Sequence, residues 1–119
     1  MKCKLQTVNL EVADPERSKR FYMDALGMAE NAERSQPPGF VYLESDGCHI
    51  TLAAAENGAI PAPSRAIELG FEVDDLAALR SHLSDLGIRD FEPQSMGWGE
   101  VVEGRDRDGN RIIVYSFSR

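Results

Sequence analysis

Residues Leu5-Gln6-Thr7-Val8-Asn9-Leu10-Glu11-Val12 alternate polar and apolar side chains and run straight into Ala13-Asp14-Pro15. The alternation predicts a half-buried strand, with Val8, Leu10 and Val12 on one face and Thr7, Asn9 and Glu11 on the other. Asp14 offers a carboxylate to cap a helix. Pro15 suits the first helical position, where its missing N–H has no partner to lose. Phe21, Tyr22, Ala25 and Leu26 then fall on one helical stripe, and Gly27 supplies the stop.

The same order recurs about sixty residues later. Ala66-Ile67-Glu68-Leu69-Gly70-Phe71-Glu72-Val73 alternates again, with Ile67, Leu69, Phe71 and Val73 predicted inward. Asp74 or Asp75 caps a second helix, on which Leu76, Leu79, Leu83 and Leu86 form a stripe that Gly87 ends. Strands are expected near 28–35, 39–44 and 48–54 in the first half, and near 88–93, 99–104 and 110–117 in the second. Ser45-Asp46-Gly47 and Asp106–Asn110 are the turns before the two last strands. Each half thus reads βαβββ. The chain is expected to be one α+β domain (1–119) with a first module at 1–57, a linker at 58–64 holding Pro61 and Pro63, and a second module at 65–119.

Composition narrows the function classes. The chain has 119 residues, 42% hydrophobic and 28% charged, an ordinary globular balance. Its net charge of −7 argues against phosphate-neutralising nucleic-acid binding and against an anionic membrane surface. No apolar run reaches the length of a membrane span, and Met1–Val12 does not read as a signal peptide. Cys3 and Cys48 read as reduced thiols, so a cytoplasmic location is expected. The only histidines are His49 and His82, too few at close spacing for a conventional zinc site.

Asp14, Ser18, Phe21, Tyr22, Leu26 and Gly27 fall on a D-x-x-x-S-x-x-F-Y-x-x-x-L-G pattern. It resembles the helix signature of the glyoxalase, bleomycin-resistance and extradiol-dioxygenase group, the vicinal oxygen chelate proteins. Trp98-Gly99 followed by Asp106-Arg107-Asp108-Gly109-Asn110 resembles that group's W-G … D-P-D-G-N ending, with Arg107 where proline is usual. The resemblance implies paired βαβββ modules forming a curved mixed sheet around a cleft, and a homodimer. It also implies, for metal-dependent members, a ligand on the first and last strand of each module. At those positions this chain has Thr7, Thr51, Glu68 and Ile113. One strong ligand among four does not build an open catalytic metal site, so neither metal nor cofactor is expected. The one alternative set is His49 and Glu68 with Glu11 or Glu72.

Alternation places Thr7, Asn9, Glu11, His49, Thr51, Glu68, Glu72, Ile113 and Tyr115 on the cleft side, with Trp98 as a lid between Gly97 and Gly99. Carboxylates, hydroxyls, an imidazole and aromatics together suit a small organic ligand, cationic or aromatic. The expected function is metal-independent small-molecule binding. The alternative is a lyase, isomerase or dioxygenase-like enzyme in which Glu68 or His49 acts as base.

Overall fold

The computed structural model describes residues 1–56 and 59–117. Residues 57 and 58, where the first module's end and the linker's start are expected, lie outside the described residues. The chain divides into two compact units, Met1–Pro61 and Ala62–Arg119.

The first unit contains β1 (Thr7–Val12), α1 (Pro15–Leu26), β2 (Ala29–Glu30), β3 (Phe40–Glu44) and β4 (His49–Ala54). Its four strands form one mixed sheet in the order β1-β4-β3-β2. The first strand lies parallel to the last, with Val8 opposite Ile50 and Leu10 opposite Leu52; β3 and β4 are antiparallel, with Val41 opposite Leu52. These side chains share one face, against which α1 lays Phe21, Tyr22 and Ala25. Val12, Tyr22, Val41, Leu43 and Leu52 are sealed from solvent. The helix starts where the sequence says it should. Asp14 Oδ1 accepts from the backbone N–H groups of Glu16 (3.1 Å) and Arg17 (3.3 Å). It ends at Gly27, whose φ of 74° is open to glycine at little cost.

The second unit repeats the plan with β5 (Glu68–Glu72), α2 (Leu76–Asp85), β6 (Glu92–Met96), β7 (Gly99–Arg105) and β8 (Arg111–Phe117). The sheet order is β5-β8-β7-β6, again with first and last strands parallel. Asp75, rather than Asp74, caps α2 through a 3.0 Å bond from Ala78 N–H, and Gly87 turns the chain at φ 76°. Leu69, Ile112, Val114 and Val102 form the buried face. Among the described residues no helix is long and apolar enough to cross a membrane. Cys3 and Cys48 are unpaired and exposed.

Three expectations are corrected. The strand expected at 88–93 runs instead from Glu92 to Met96. Its register comes from pairing with β7, with Pro93 opposite Val102, and not from any apolar alternation of its own. Pro93 is tolerated because β6 is the edge of its sheet, where a missing N–H breaks no ladder. The strand expected at 28–35 shrinks to two residues, because Asn31 turns the chain: its backbone carbonyl accepts from Ser35 N–H and Oγ and its side chain from Arg34 N–H. Ile67 falls outside β5 and Leu86 outside α2. Both are exposed, so the inward stripes of the second module are shorter than the sequence implies.

Candidate functional site

Each sheet has one face covered by its helix and one free of it, and the sequence-predicted site residues sit on the helix-free faces. In the first module Thr7 stands opposite His49, Asn9 opposite Thr51 and Glu11 opposite Ala53, while Tyr42 flanks Thr51 from β3. This face is internally bonded. Thr51 Oγ1 donates to Asn9 Oδ1 at 2.7 Å. The Tyr42 hydroxyl lies 2.9 Å from His49 Nδ1, a bond whose direction follows the imidazole tautomer, and Gln6 Nε2 approaches the same nitrogen at 3.3 Å. The Tyr42 and His49 rings meet edge-on at 5.5 Å, and the Arg34 guanidinium sits 5.4 Å from the Tyr42 ring centroid. Thr51 and Tyr42 are buried; His49 is half-buried.

In the second module, register puts Glu68 beside Arg111, Gly70 beside Ile113 and Glu72 beside Tyr115. Two regions follow along this face. At one end Glu68 Oε2 accepts from Arg111 Nη2 at 3.0 Å, and Arg111 Nη1 also donates to the Arg65 carbonyl at 3.1 Å. Glu68 and Arg111 share with Asp90, Glu92, Glu103 and Arg105 a recess of about 400 Å³. At the other end, about 13 Å along β8 at a strand's rise per residue, stands an aromatic cluster. Trp98 meets Tyr115 edge-on at 5.7 Å and Phe117 at 5.6 Å, and Tyr115 meets Phe117 at 5.5 Å. Trp98 is 49% and Phe117 52% exposed.

Trp98 belongs to the two-residue turn Gly97-Trp98 that joins Met96 to Gly99 in the β6–β7 hairpin. It is therefore carried by a paired ribbon and held by two rings. Alternation identifies Ile113 and Tyr115 but not Arg111, although Arg111 lies two residues earlier on the same face. The pairing of Tyr42 with His49 is likewise invisible to alternation. That contact depends on the β3–β4 register, which no local pattern reveals. His82 is exposed on α2. The D-R-D-G-N stretch is a folded turn: buried Asp106 accepts from the N–H groups of Asp108 (2.9 Å) and Asn110 (2.8 Å) and from Asn110 Nδ2 (2.8 Å).

The donors at the metal-ligand positions do not fit a divalent cation. The Thr51 hydroxyl is committed to Asn9, Thr7 offers only another hydroxyl, Ile113 offers no donor, and one oxygen of Glu68 is committed to a guanidinium. Among the described residues no group of three His, Cys, Asp or Glu side chains is placed to hold an ion.

Comparison with known proteins agrees with this architecture. The chain is 24% identical over 117 residues to the uncharacterized protein YetH of Bacillus subtilis, covering 91% of this chain and 93% of that one. An integron cassette protein from the mobile metagenome of Vibrio cholerae is similar in structure, with TM-score 0.69, 28% identity and 99% and 98% of the two chains covered. The antibiotic-binding protein TnmS3 from a Streptomyces species shares the fold at TM-score 0.75, with 23% identity and 98% of each chain covered. So does a lactoylglutathione lyase from Agrobacterium tumefaciens, at TM-score 0.74, 18% identity, and 98% and 95% coverage. The family pattern itself matches residues 4–114, a span that runs from before β1 into β8 and takes in both helices, and the chain belongs to the Glyoxalase/Bleomycin resistance protein/Dioxygenase superfamily.

Proposed function

We propose that this chain is a metal-independent small-molecule-binding protein that holds a cationic, aromatic ligand on the helix-free face of its second sheet. The observation that carries this reading is the Trp98–Tyr115–Phe117 cluster, which leaves two large aromatic side chains about half exposed beside the exposed carboxylate of Glu72. Exposed rings held by neighbouring rings present a flat apolar surface at little further entropic cost. A planar ligand stacks there, and its positive charge is drawn to Glu72 and, further along the strand, to the recess around Glu68. That TnmS3 is an antibiotic-binding protein supports a binding role on this fold.

An enzyme of the lyase or isomerase type is the second reading, with His49 or Glu68 as base. The specific observation in its favour is the 2.9 Å Tyr42–His49 contact, which fixes the imidazole orientation. Against it, one oxygen of Glu68 is committed to Arg111. The resemblance to the family adds a homodimer to the proposal, which light scattering on the purified chain measures directly.

Trp98 is the only tryptophan, so its fluorescence reports occupancy without a label. A panel of cationic aromatic compounds is titrated against the chain. Saturable quenching is expected, and Glu72→Gln with Glu68→Gln is expected to weaken it about tenfold. If no member of the panel binds, or if the double variant binds as tightly as the parent, the binding reading at this face is wrong. Turnover of a 2-oxo aldehyde hemithioacetal that is lost in His49→Gln supports the enzyme reading instead.

A further inference from the structure

The two helices cover their sheets unequally. α1 packs across β2, β3 and β4, whereas α2 rests chiefly on β8. Counting from the two N-caps explains why. Phe21, Tyr22 and Met23 of α1 correspond to His82, Leu83 and Ser84 of α2, so the bulky pair that seats the first helix is replaced by one leucine with smaller or polar neighbours. Of the α2 side chains only Leu83 is buried. Beyond it the helix and β7 are separated by a groove of about 480 Å³, within the range of small-molecule sites. Ile88 and Phe91 line it with apolar surface over a floor of buried Leu83 and Val102, and Ser81 and Ser84 add polar lining. Arg80 and Arg89 also line it, and both are exposed.

We propose that this groove binds an amphiphilic monocarboxylate, its alkyl chain along Ile88 and Phe91 and its headgroup between Arg80 and Arg89. The site is on the opposite face of the sheet from the aromatic cluster and does not depend on the function proposed above. Charge complementarity selects the occupant. In a chain of net charge −7, two guanidinium groups border one groove of mixed polar and apolar lining, and the ion pairs among the described residues engage Lys19 and Arg111 but neither of these. A cationic amphiphile meets like charge there. A bare inorganic anion leaves the apolar surface unfilled, and a neutral alcohol leaves the guanidinium groups without a counter-charge. The free acid satisfies both halves.

Decanoate below its micellar concentration is the probe, followed by amide shifts in two-dimensional NMR of the full chain. Saturable shifts at Ala77, Ser81, Ser84 and Ile88 are expected, with decanol and decyltrimethylammonium at least tenfold weaker. Arg80→Gln with Arg89→Gln is expected to weaken decanoate about tenfold. Both side chains are exposed, so the double variant is expected to keep the parent's melting temperature within a few degrees. A second variant, Ser84→Leu, fills the groove and is expected to abolish the shifts. No saturable shift in the groove, equal affinity for decanol or for the ammonium, or an unchanged affinity in the double arginine variant overturns the proposal.

Discussion

In the first module the helix-free face is closed on itself, with Thr51 bonded to Asn9, Tyr42 to His49, and both Thr51 and Tyr42 buried. In the second module the same face ends in half-exposed Trp98 and Phe117 and in a recess lined by four carboxylates and two guanidinium groups, of which Glu68 and Arg111 are paired. The seams between helix and sheet differ in the same sense: filled by Phe21 and Tyr22 in one module, left as a groove beside Leu83 in the other. The strand order, the capping aspartate and the left-handed glycine are common to both. The scaffold is therefore carried by few positions, and the rest are free to make one module a packed support and the other a chemically open surface.

The sharpest test of that contrast lies at the matched positions 22 and 83. Tyr22→Ala is expected to destabilise by about 3–5 kcal/mol, because a fully buried ring leaves a cavity that the packed seam cannot collapse. Leu83→Ala is expected to cost about 2–3 kcal/mol, since its surroundings already open into the groove. Urea denaturation of both variants measures the difference, and equal losses would erase the distinction between the two seams.

The hairpin turns come next. Asp106→Ala removes three hydrogen bonds around a buried carboxylate and is expected to cost about 2–3 kcal/mol. Ser45→Ala, at the equivalent turn of the first module, removes exposed bonds to Gly47 N–H and the Cys48 carbonyl and is expected to cost about 0.5 kcal/mol. Here the second module's turn is the more heavily hydrogen-bonded one, which limits the contrast to the faces and seams. The two caps should differ less. Asp14→Ala loses two backbone partners and Asp75→Ala one, so each is expected to cost about 1 kcal/mol, with Asp14 the larger by a few tenths.

The smallest effect is electrostatic. Lys19 bridges Glu30 at 2.9 Å and Glu16 at 3.1 Å. The hydrogen bond to Glu30, followed by that to Glu16, holds the Lys19 ammonium above its ordinary value. The Lys19 hydrogen bond, aided by Ser35, holds the Glu30 carboxyl below its own. The Glu30 contribution is therefore present above the ordinary carboxylate pKa and is lost as pH falls through the lowered one. The Lys19 contribution is present below 10.5 and is lost as pH rises through the raised value. Lys19→Met is expected to remove less than about 1 kcal/mol and to flatten both limbs of a stability–pH profile.

Much of this scaffold is legible in the sequence because its determinants are local. A capping carboxylate, a proline at the first helical position, an alternating strand and a terminal glycine each act within a few residues. β6 is not legible in that way. Glu92, Pro93, Gln94 and Ser95 are all exposed, and only the pairing with β7 makes them a strand. The α2 stripe misleads for a related reason. Leu76, Leu79 and Leu86 have helical spacing, but how far a helix face is buried depends on the sheet beneath it. The Glu68–Arg111 bond joins residues 43 apart, and only the parallel register of β5 and β8 reveals it.

That parallel pairing has a consequence for how the chain is made. In each module the first strand finds its partner only in the last, some forty residues on, after the helix and two strands between them. During synthesis β1 therefore emerges without a ladder and waits until residues 49–54 have left the ribosome, when nearly all of its module is already exposed. A nascent chain halted before His49 would carry an unpaired strand edge, and the same holds for β5 until residues 111–117 arrive. Closure of the long parallel ladder costs more chain entropy than formation of either helix, so it is expected to be the slower step in each module.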